Sequence, residues 1–406
     1  MNRGLFADRF MWGTATAGYQ IEGGGTNTDW WRFEHADGTT AKEPCGAACD
    51  SWNRFEEDLD LIAELGLNSY RFSVEWARIE PEQGVFSDDA LHHYRRVLEG
   101  CHERSILPVV TLHHFTLPLW VADAGGFENP AIASWMGAYA RVVAHALGDL
   151  IGVACTINEP NIVALMGYAM GEFPPQVTDL ARFANVNEAL RSCHVTIRDE
   201  LRAGPGDFPI GLCLSMQEYE AVEGGEELRA MFLDEMEHKY FASVDDADDF
   251  LGVQCYTKIF LGPAGLVATD GETTAMGYLY WPQSVEYCVR RAASFIHLPI
   301  LITENGIGTD DDAQRIRYLR DALKGLDNVI GEGIDVRGYF QWSLLDNFEW
   351  MLGYEPKFGI VAVDRSTFKR TPKPSARWYS DAARDFLSRR TGWYGANGTP
   401  VPRPSA

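Results

Sequence analysis

Short apolar, largely β-branched runs recur along the chain at residues 11–14, 69–74, 107–112, 153–157, 210–215, 250–256, 299–303 and 336–342. They do not alternate polar with apolar positions, which is the pattern of strands buried on both faces. Stretches with helical spacing of apolar residues lie between them, among them 51–65, 88–104, 129–147 and 187–202. Eight strands separated by helices predict an α/β protein, a single (β/α)8 TIM barrel with its active site at the C-terminal face of the strands. An open doubly wound sheet shares much of this pattern. No repeat, low-complexity segment or linker interrupts the chain, so 1–406 reads as a single barrel domain. Residues 391–406, rich in Gly and Pro, read as a loosely held C-terminal tail.

Composition narrows the partners. The chain has 406 residues, 46% of them hydrophobic, enough for the large core of a barrel with insertions. Its formal net charge of −23 repels phosphate backbones and anionic lipid, which argues against nucleic acid and membrane surfaces as partners. No apolar run is long enough to span a bilayer. The N-terminal residues lack the apolar core and cleavage pattern of a secretory signal. The eight cysteines are scattered, several of them (Cys155, Cys213, Cys255) inside apolar runs. They read as reduced core thiols of a cytoplasmic protein. Cys45 and Cys49 form the closest pair, but no second ligand pair completes a zinc pattern.

Two strand candidates end in a glutamate. ACTINEP (154–160) carries Glu159 after an apolar run, and LPILITENG (298–306) carries Glu304 in the same position. In a barrel both side chains emerge at the catalytic mouth. Each has a neighbouring asparagine, Asn158 or Asn305, as a candidate partner for a sugar hydroxyl. One such glutamate alone would read as a solvated loop charge. Two at matching strand ends point to a site. Carboxyl groups about 5–5.5 Å apart suit retaining glycoside hydrolysis, in which one attacks the anomeric carbon and the other acts first as acid and then as base. The charge of the first keeps the second protonated until the glycosyl ester removes it.

Seven motifs in order resemble glycoside hydrolase family 1, the β-glucosidase and β-galactosidase group. They are FMWGTATAGYQIEG (10–23), YRFSVEWARIEP (70–81), TLHHFTLPLW (111–120), TINEP (156–160), ITENG (302–306), WSLLDNFEWMLGY (342–354) and KFGIVAVD (357–364). The resemblance spans the chain from Phe10 to about Trp378. It implies Glu159 as catalytic acid/base and Glu304 as catalytic nucleophile. It further implies that Gln20, His114, Asn158, Glu349 and Trp350 hydrogen-bond the sugar in the cleavage subsite. Trp342 would form an apolar platform beneath that sugar, and Tyr256 and Arg71 would touch the nucleophile, the arginine keeping it ionised. Taken singly, His114, Trp342 and Trp350 would read as core residues, Arg71 as a buried ion-pair partner and Gln20 as loop surface. His113 beside His114 suggests a metal pair, but adjacent strand residues face opposite ways, and the family needs neither metal nor cofactor.

The resemblance implies a retaining, exo-acting β-glycosidase that releases a β-linked, unphosphorylated hexose from a small-molecule glycoside or oligosaccharide. Relatives acting on 6-phosphosugars lack the glutamate at the position of Glu349, and a carboxylate would repel phosphate. Two alternatives share the site: a transglycosylase using the same covalent intermediate, and a catalytically silent sugar-binding relative. Silent relatives usually lose one glutamate, and both are present here. The chain departs from the commoner pattern at Phe115 and Thr116, and at Gln254 and Cys255. Gln254 is expected to weaken or re-aim a contact near the leaving-group side. Glucose, galactose and fucose remain equally open as the sugar, as does the oligomeric state.

Overall fold

The computed structural model describes residues 10–268 and 270–389. The expected tail at 391–406 lies outside the described residues. Eight strands close into a barrel: β1 (Met11–Ala15), β2 (Ser69–Ser73), β3 (Leu107–His113), β4 (Val153–Asn158), β5 (Ile210–Ser215), β6 (Phe250–Gln254), β7 (Ile300–Asn305) and β8 (Val336–Trp342). Every neighbouring pair is parallel, and β8 returns to β1 through Met11–Gly338 to Ala15–Trp342. Closure rules out the open sheet. Each predicted strand is present, with ends shifted by at most two residues.

The crossovers carry α1 (Ser51–Glu64), α2 (Asp88–Glu103), α3 (Ile132–Leu147), α4 (Leu180–Ala203), α5 (Glu226–Leu233), α6 (Ser284–Phe295), α7 (Asp312–Gly331) and α8 (Pro374–Arg389). Their starts follow capping chemistry. Helix α4 begins seven residues before its expected start because the Asp179 side chain accepts from the backbone N–H of Ala181 and Arg182, at 2.8 and 3.1 Å. Helix α3 begins late, since the Asn129 side chain instead closes a turn onto the N–H of Ala131 at 2.8 Å.

Inside the barrel Met11, Val109, Val153, Phe250, Leu301 and Phe340 form one apolar layer, topped by Trp342. Gly13 permits this packing. A Cβ there would lie 2.4 Å from the carbonyl oxygen of Ser69 and 2.8 Å from the Phe340 ring, closer than atoms can pack. A second, larger core fills the space between strands and helices. All eight cysteines are buried free thiols. Cys45 and Cys49 donate to the carbonyls of Tyr19 and Asp346. Among the described residues, no helix is long and apolar enough to cross a membrane.

The unusual third-strand pair has a structural explanation. Phe115 adopts a left-handed backbone, φ 71°, and packs on Phe173 and Trp350. The Thr116 hydroxyl donates to Glu75 at 2.7 Å, and the neighbouring Leu117 N–H donates to Asp29 at 2.8 Å. Burial pushes Asp29 up to about 7. Burial pushes Glu75 up to about 8 against the opposing Thr116 hydroxyl, with the nearby Glu22 adding to the rise.

Both acids therefore keep a proton in the folded chain that the unfolded chain releases near 3.8 and 4.5. Their stabilising contribution is full below those lower values and is lost as pH rises through about 7–8. The melting temperature is expected to fall between about pH 5 and pH 9, and Glu75→Gln to shrink that fall by on the order of 5 °C. Scanning calorimetry across pH checks this; an equal slope in the variant would rule Glu75 out as a contributor.

Candidate active site

The C-terminal strand ends place a ring of polar and aromatic side chains around one mouth. Glu304, inward-facing on β7, is 4% exposed. Its Oε1 accepts from Arg71 Nη1 at 2.6 Å and from Gln254 Nε2 at 3.0 Å, and its Oε2 accepts from the Tyr256 hydroxyl at 2.6 Å. Arg71, fully buried on β2, gives its other nitrogen to Asn158 Oδ1 at 2.5 Å, which also accepts from Gln254 at 2.8 Å. Asn158 Nδ2 in turn lies 3.3 Å from His114 Nε2.

Glu159 would point away from Asn158 in a regular strand. The strand pattern stops here: β4 ends at Asn158 and Glu159 takes a left-handed backbone, φ 44° and ψ 55°, with its carboxyl group in the field of Glu304, Arg71 and Glu349. Its N–H is held by the Cys213 carbonyl at 2.9 Å. A non-glycine residue in this region costs about 1 kcal/mol or more and persists only when its surroundings enforce it. Phe115 and Trp350 at the same mouth share this backbone sign, with φ 71° and 50°.

The two glutamates are electrostatically unequal. Burial raises Glu304 above the usual carboxylate range, while Arg71 and the Tyr256 hydroxyl pull it back. Glu159 is pushed much further, by burial and then by the charge on Glu304, with Ser215 and Arg71 opposing. The site thus favours one ionised and one protonated carboxyl group. Arg71 is the charge that most favours the ionised form of Glu304. Burial pushes Glu349 up to about 8, and the field of Glu304 adds to it.

The aromatic wall is continuous. The His114 ring lies parallel to Trp342 and Trp350, with centroids 5.9 and 6.1 Å away. Trp350 also stacks on Tyr19 at 5.8 Å. Burial keeps His114 neutral, aided by the positive Arg71. His113 faces the other way, edge-on to Phe127, which removes the metal-pair reading. Gln20 is fully buried and donates to the Phe348 carbonyl at 2.6 Å. Its Oε1, together with His114 Nδ1 and Glu349 Oε2, is buried without a protein partner. Unpaired buried polar atoms are costly, and a ligand bearing several hydroxyls would satisfy them.

The residues that the family resemblance assigned to the site lie at this mouth. Asn305 does not. It alternates outward from Glu304, donates to the Cys255 carbonyl at 2.5 Å and to Tyr318 at 3.1 Å, and accepts from Tyr339 at 2.7 Å. Its place in a matching motif concealed this structural role. Gln254 braces Glu304 and Asn158. Two residues carried no sequence signal. Ser215 opposes the upward push on Glu159, and the half-exposed Tyr278 places its hydroxyl in the field of Glu349, Glu159 and Glu172. Neither belongs to a motif.

The chain is 34% identical to β-glucosidase A of Thermotoga maritima over 95% of its own length and 99% of the relative's. It is 31% identical to β-glucosidase A of Acetivibrio thermocellus over 95% and 99%. The solved β-glucosidase from Thermotoga maritima in complex with glucoimidazole superposes with a TM-score of 0.86 at 32% identity, covering 94% of this chain and 99% of that one. A β-glycosidase crystal structure gives a TM-score of 0.87 at 40% identity over 99% and 100%. The family profile described as Glycosyl hydrolase family 1 matches residues 2–244 and 231–386. With the closed barrel and its paired glutamates, these matches establish that the chain belongs to glycosyl hydrolase family 1 and is a glycoside hydrolase.

Proposed function

We propose that this enzyme hydrolyses β-linked, unphosphorylated hexosides with retention of anomeric configuration, using Glu304 as nucleophile and Glu159 as acid/base. The unequal environment of the two carboxyl groups carries this reading. Glu304 meets a guanidinium and a phenol, whereas Glu159 meets desolvation and a neighbouring negative charge. In the first step the Glu304 oxygen bonds to the anomeric carbon, and the glycosidic oxygen leaves with the proton of Glu159. Esterification removes the Glu304 charge, so Glu159 becomes the stronger acid and is left ionised. It then takes a proton from water as that water's oxygen displaces Glu304. The free sugar and both starting carboxyl groups are restored.

Gln20, His114, Asn158, Glu349 and Trp350 are assigned to the sugar hydroxyls, with Trp342 as the apolar platform. The three unpaired atoms on Gln20, His114 and Glu349 support this. Arg71 is already engaged by Glu304 and Asn158, which leaves it unsuited to a sugar phosphate. Tyr278 is assigned to the outer, aglycone side. Buried free thiols support a cytoplasmic enzyme.

The test is an assay on a panel of p-nitrophenyl β-glycosides and their 6-phospho forms, with NMR of the first-formed sugar. The expected product is the β-anomer from unphosphorylated substrates. An α-anomer, or preference for the phosphorylated panel, would refute the reading.

A further inference from the structure

Asn305 ends β7 beside Glu304 and faces helix α7, where it is fully buried. The direction of each hydrogen bond around it is set by partners that can only accept. The Cys255 carbonyl is one, so the Asn305 atom 2.5 Å from it is the donor Nδ2. The Tyr318 hydroxyl has a single proton, which goes to the Tyr256 carbonyl at 2.8 Å. Its oxygen therefore receives the second Nδ2 proton of Asn305, at 3.1 Å. The Tyr339 hydroxyl donates to the remaining Oδ1 at 2.7 Å.

These bonds converge on the segment that carries Tyr256. The Cys255 N–H donates to the Glu304 carbonyl at 3.2 Å, and the Cys255 carbonyl accepts from Asn305, so residue 255 is tied to β7 on both sides. The Tyr256 carbonyl is held by Tyr318, and its N–H donates to Gln217 Oε1 at 3.4 Å. Helix α7 is itself anchored three residues before Tyr318, where the fully buried Arg315 donates to the carbonyls of Thr309 and Lys357, both at 2.6 Å. From this clamped backbone the Tyr256 side chain reaches the mouth and donates to Glu304 Oε2 at 2.6 Å. A donor to the carboxylate is thus held from behind by a residue on an outer helix, 62 positions along the chain.

We propose that Tyr318, together with Asn305, is a positioning residue for Glu304 that acts through Tyr256. The proposal rests on Glu304 being the nucleophile. A hydroxyl donating to a carboxylate favours its ionised form, the form that attacks. Arg71 and Gln254 donate to the same carboxylate, and Glu159 and Glu349 share its field. Arg71 and Gln254 sit on the barrel strands β2 and β6, whose pairing fixes them. Tyr256 lies past the end of β6, so its place depends on the side chains that grip its peptide groups.

The experiment measures pH profiles of kcat/KM for Tyr318→Phe, Tyr256→Phe and the double variant, with melting temperatures as a folding check and Tyr379→Phe as a control. Tyr379 is an equally buried tyrosine whose hydroxyl donates to the Gly13 carbonyl on β1 at 2.7 Å. The acid limb of kcat/KM reports ionisation of the nucleophile in the free enzyme. It is expected to move up by about 1 pH unit in Tyr256→Phe and by about 0.5 in Tyr318→Phe, which lowers kcat/KM about threefold below the limb. In the double variant the Tyr318 change should add nothing, because it acts through a hydroxyl already removed. Tyr379→Phe should lower the melting temperature similarly and leave the limb in place. Asn305→Ala, which frees the Cys255 carbonyl, carries the same test should Tyr318→Phe not fold. A limb that stays put in Tyr318→Phe, moves equally with and without the Tyr256 hydroxyl, or moves as far in Tyr379→Phe overturns the proposal. Labelling with a 2-deoxy-2-fluoro-glycosyl fluoride, followed by peptide mapping, keeps the two readings apart: a label on a residue other than Glu304 overturns the nucleophile assignment instead.

Discussion

Replacing Glu304 with alanine is expected to lower turnover by on the order of 10⁴-fold or more, because no other group at the mouth can form the covalent bond to the anomeric carbon. The loss has a second component. Arg71, Gln254 and Tyr256 all donate to this carboxylate, and its removal leaves a buried guanidinium facing a void. That void is sized and charged for a small anion. Added azide should restore turnover by direct attack on the anomeric carbon while Glu159 protonates the leaving oxygen. One displacement inverts, so the product should be the α-glycosyl azide. Residual activity within about tenfold of the parent enzyme, or a β-glycosyl azide, would exclude Glu304 as the nucleophile.

The second large effect is expected from Glu159→Ala, and its signature is selectivity. Phenolates of low pKa depart with little protonation, so formation of the glycosyl-enzyme from 2,4-dinitrophenyl glycosides should change little. Alkyl glycosides and diglycosides need the proton and should lose about 10²–10⁴-fold, the usual range for general acid catalysis. Breakdown of the ester should slow for every substrate, since the base is gone as well. The ester then accumulates and KM falls with kcat. Azide, an anion that needs no base, should accelerate that breakdown and give the β-glycosyl azide. The two variants are therefore separated by the configuration of the same rescued product. A uniform loss across leaving groups would mean that Glu159 does not protonate the departing oxygen.

Much of the barrel was legible because its signal is local. Strands buried on both faces must be apolar and β-branched, and all eight runs became barrel strands. Helix ends were less legible, since they depend on single capping groups such as Asp179. In the site, residue type and motif position marked Glu159, Glu304, Arg71 and Tyr256. Asn305 was misread because a motif says nothing of which way a side chain points. Tyr278 was unmarked because it belongs to no motif and gains its place near the glutamates only from the folded chain.

The order of apolar runs and the identity of the chemical groups were thus set by the sequence itself: parallel strands, two glutamates at strand ends, and the arginine and aromatics near them. Closure of the sheet, the left-handed turn at Glu159, and the outward aim of Asn305 were decided only in the folded chain. So was the unequal acidity of the two glutamates. Burial and neighbouring charge set a carboxyl group's proton affinity, and both depend on residues such as Arg71 and Glu304 that are 233 positions apart. Contacts of that separation exist only once the barrel has closed.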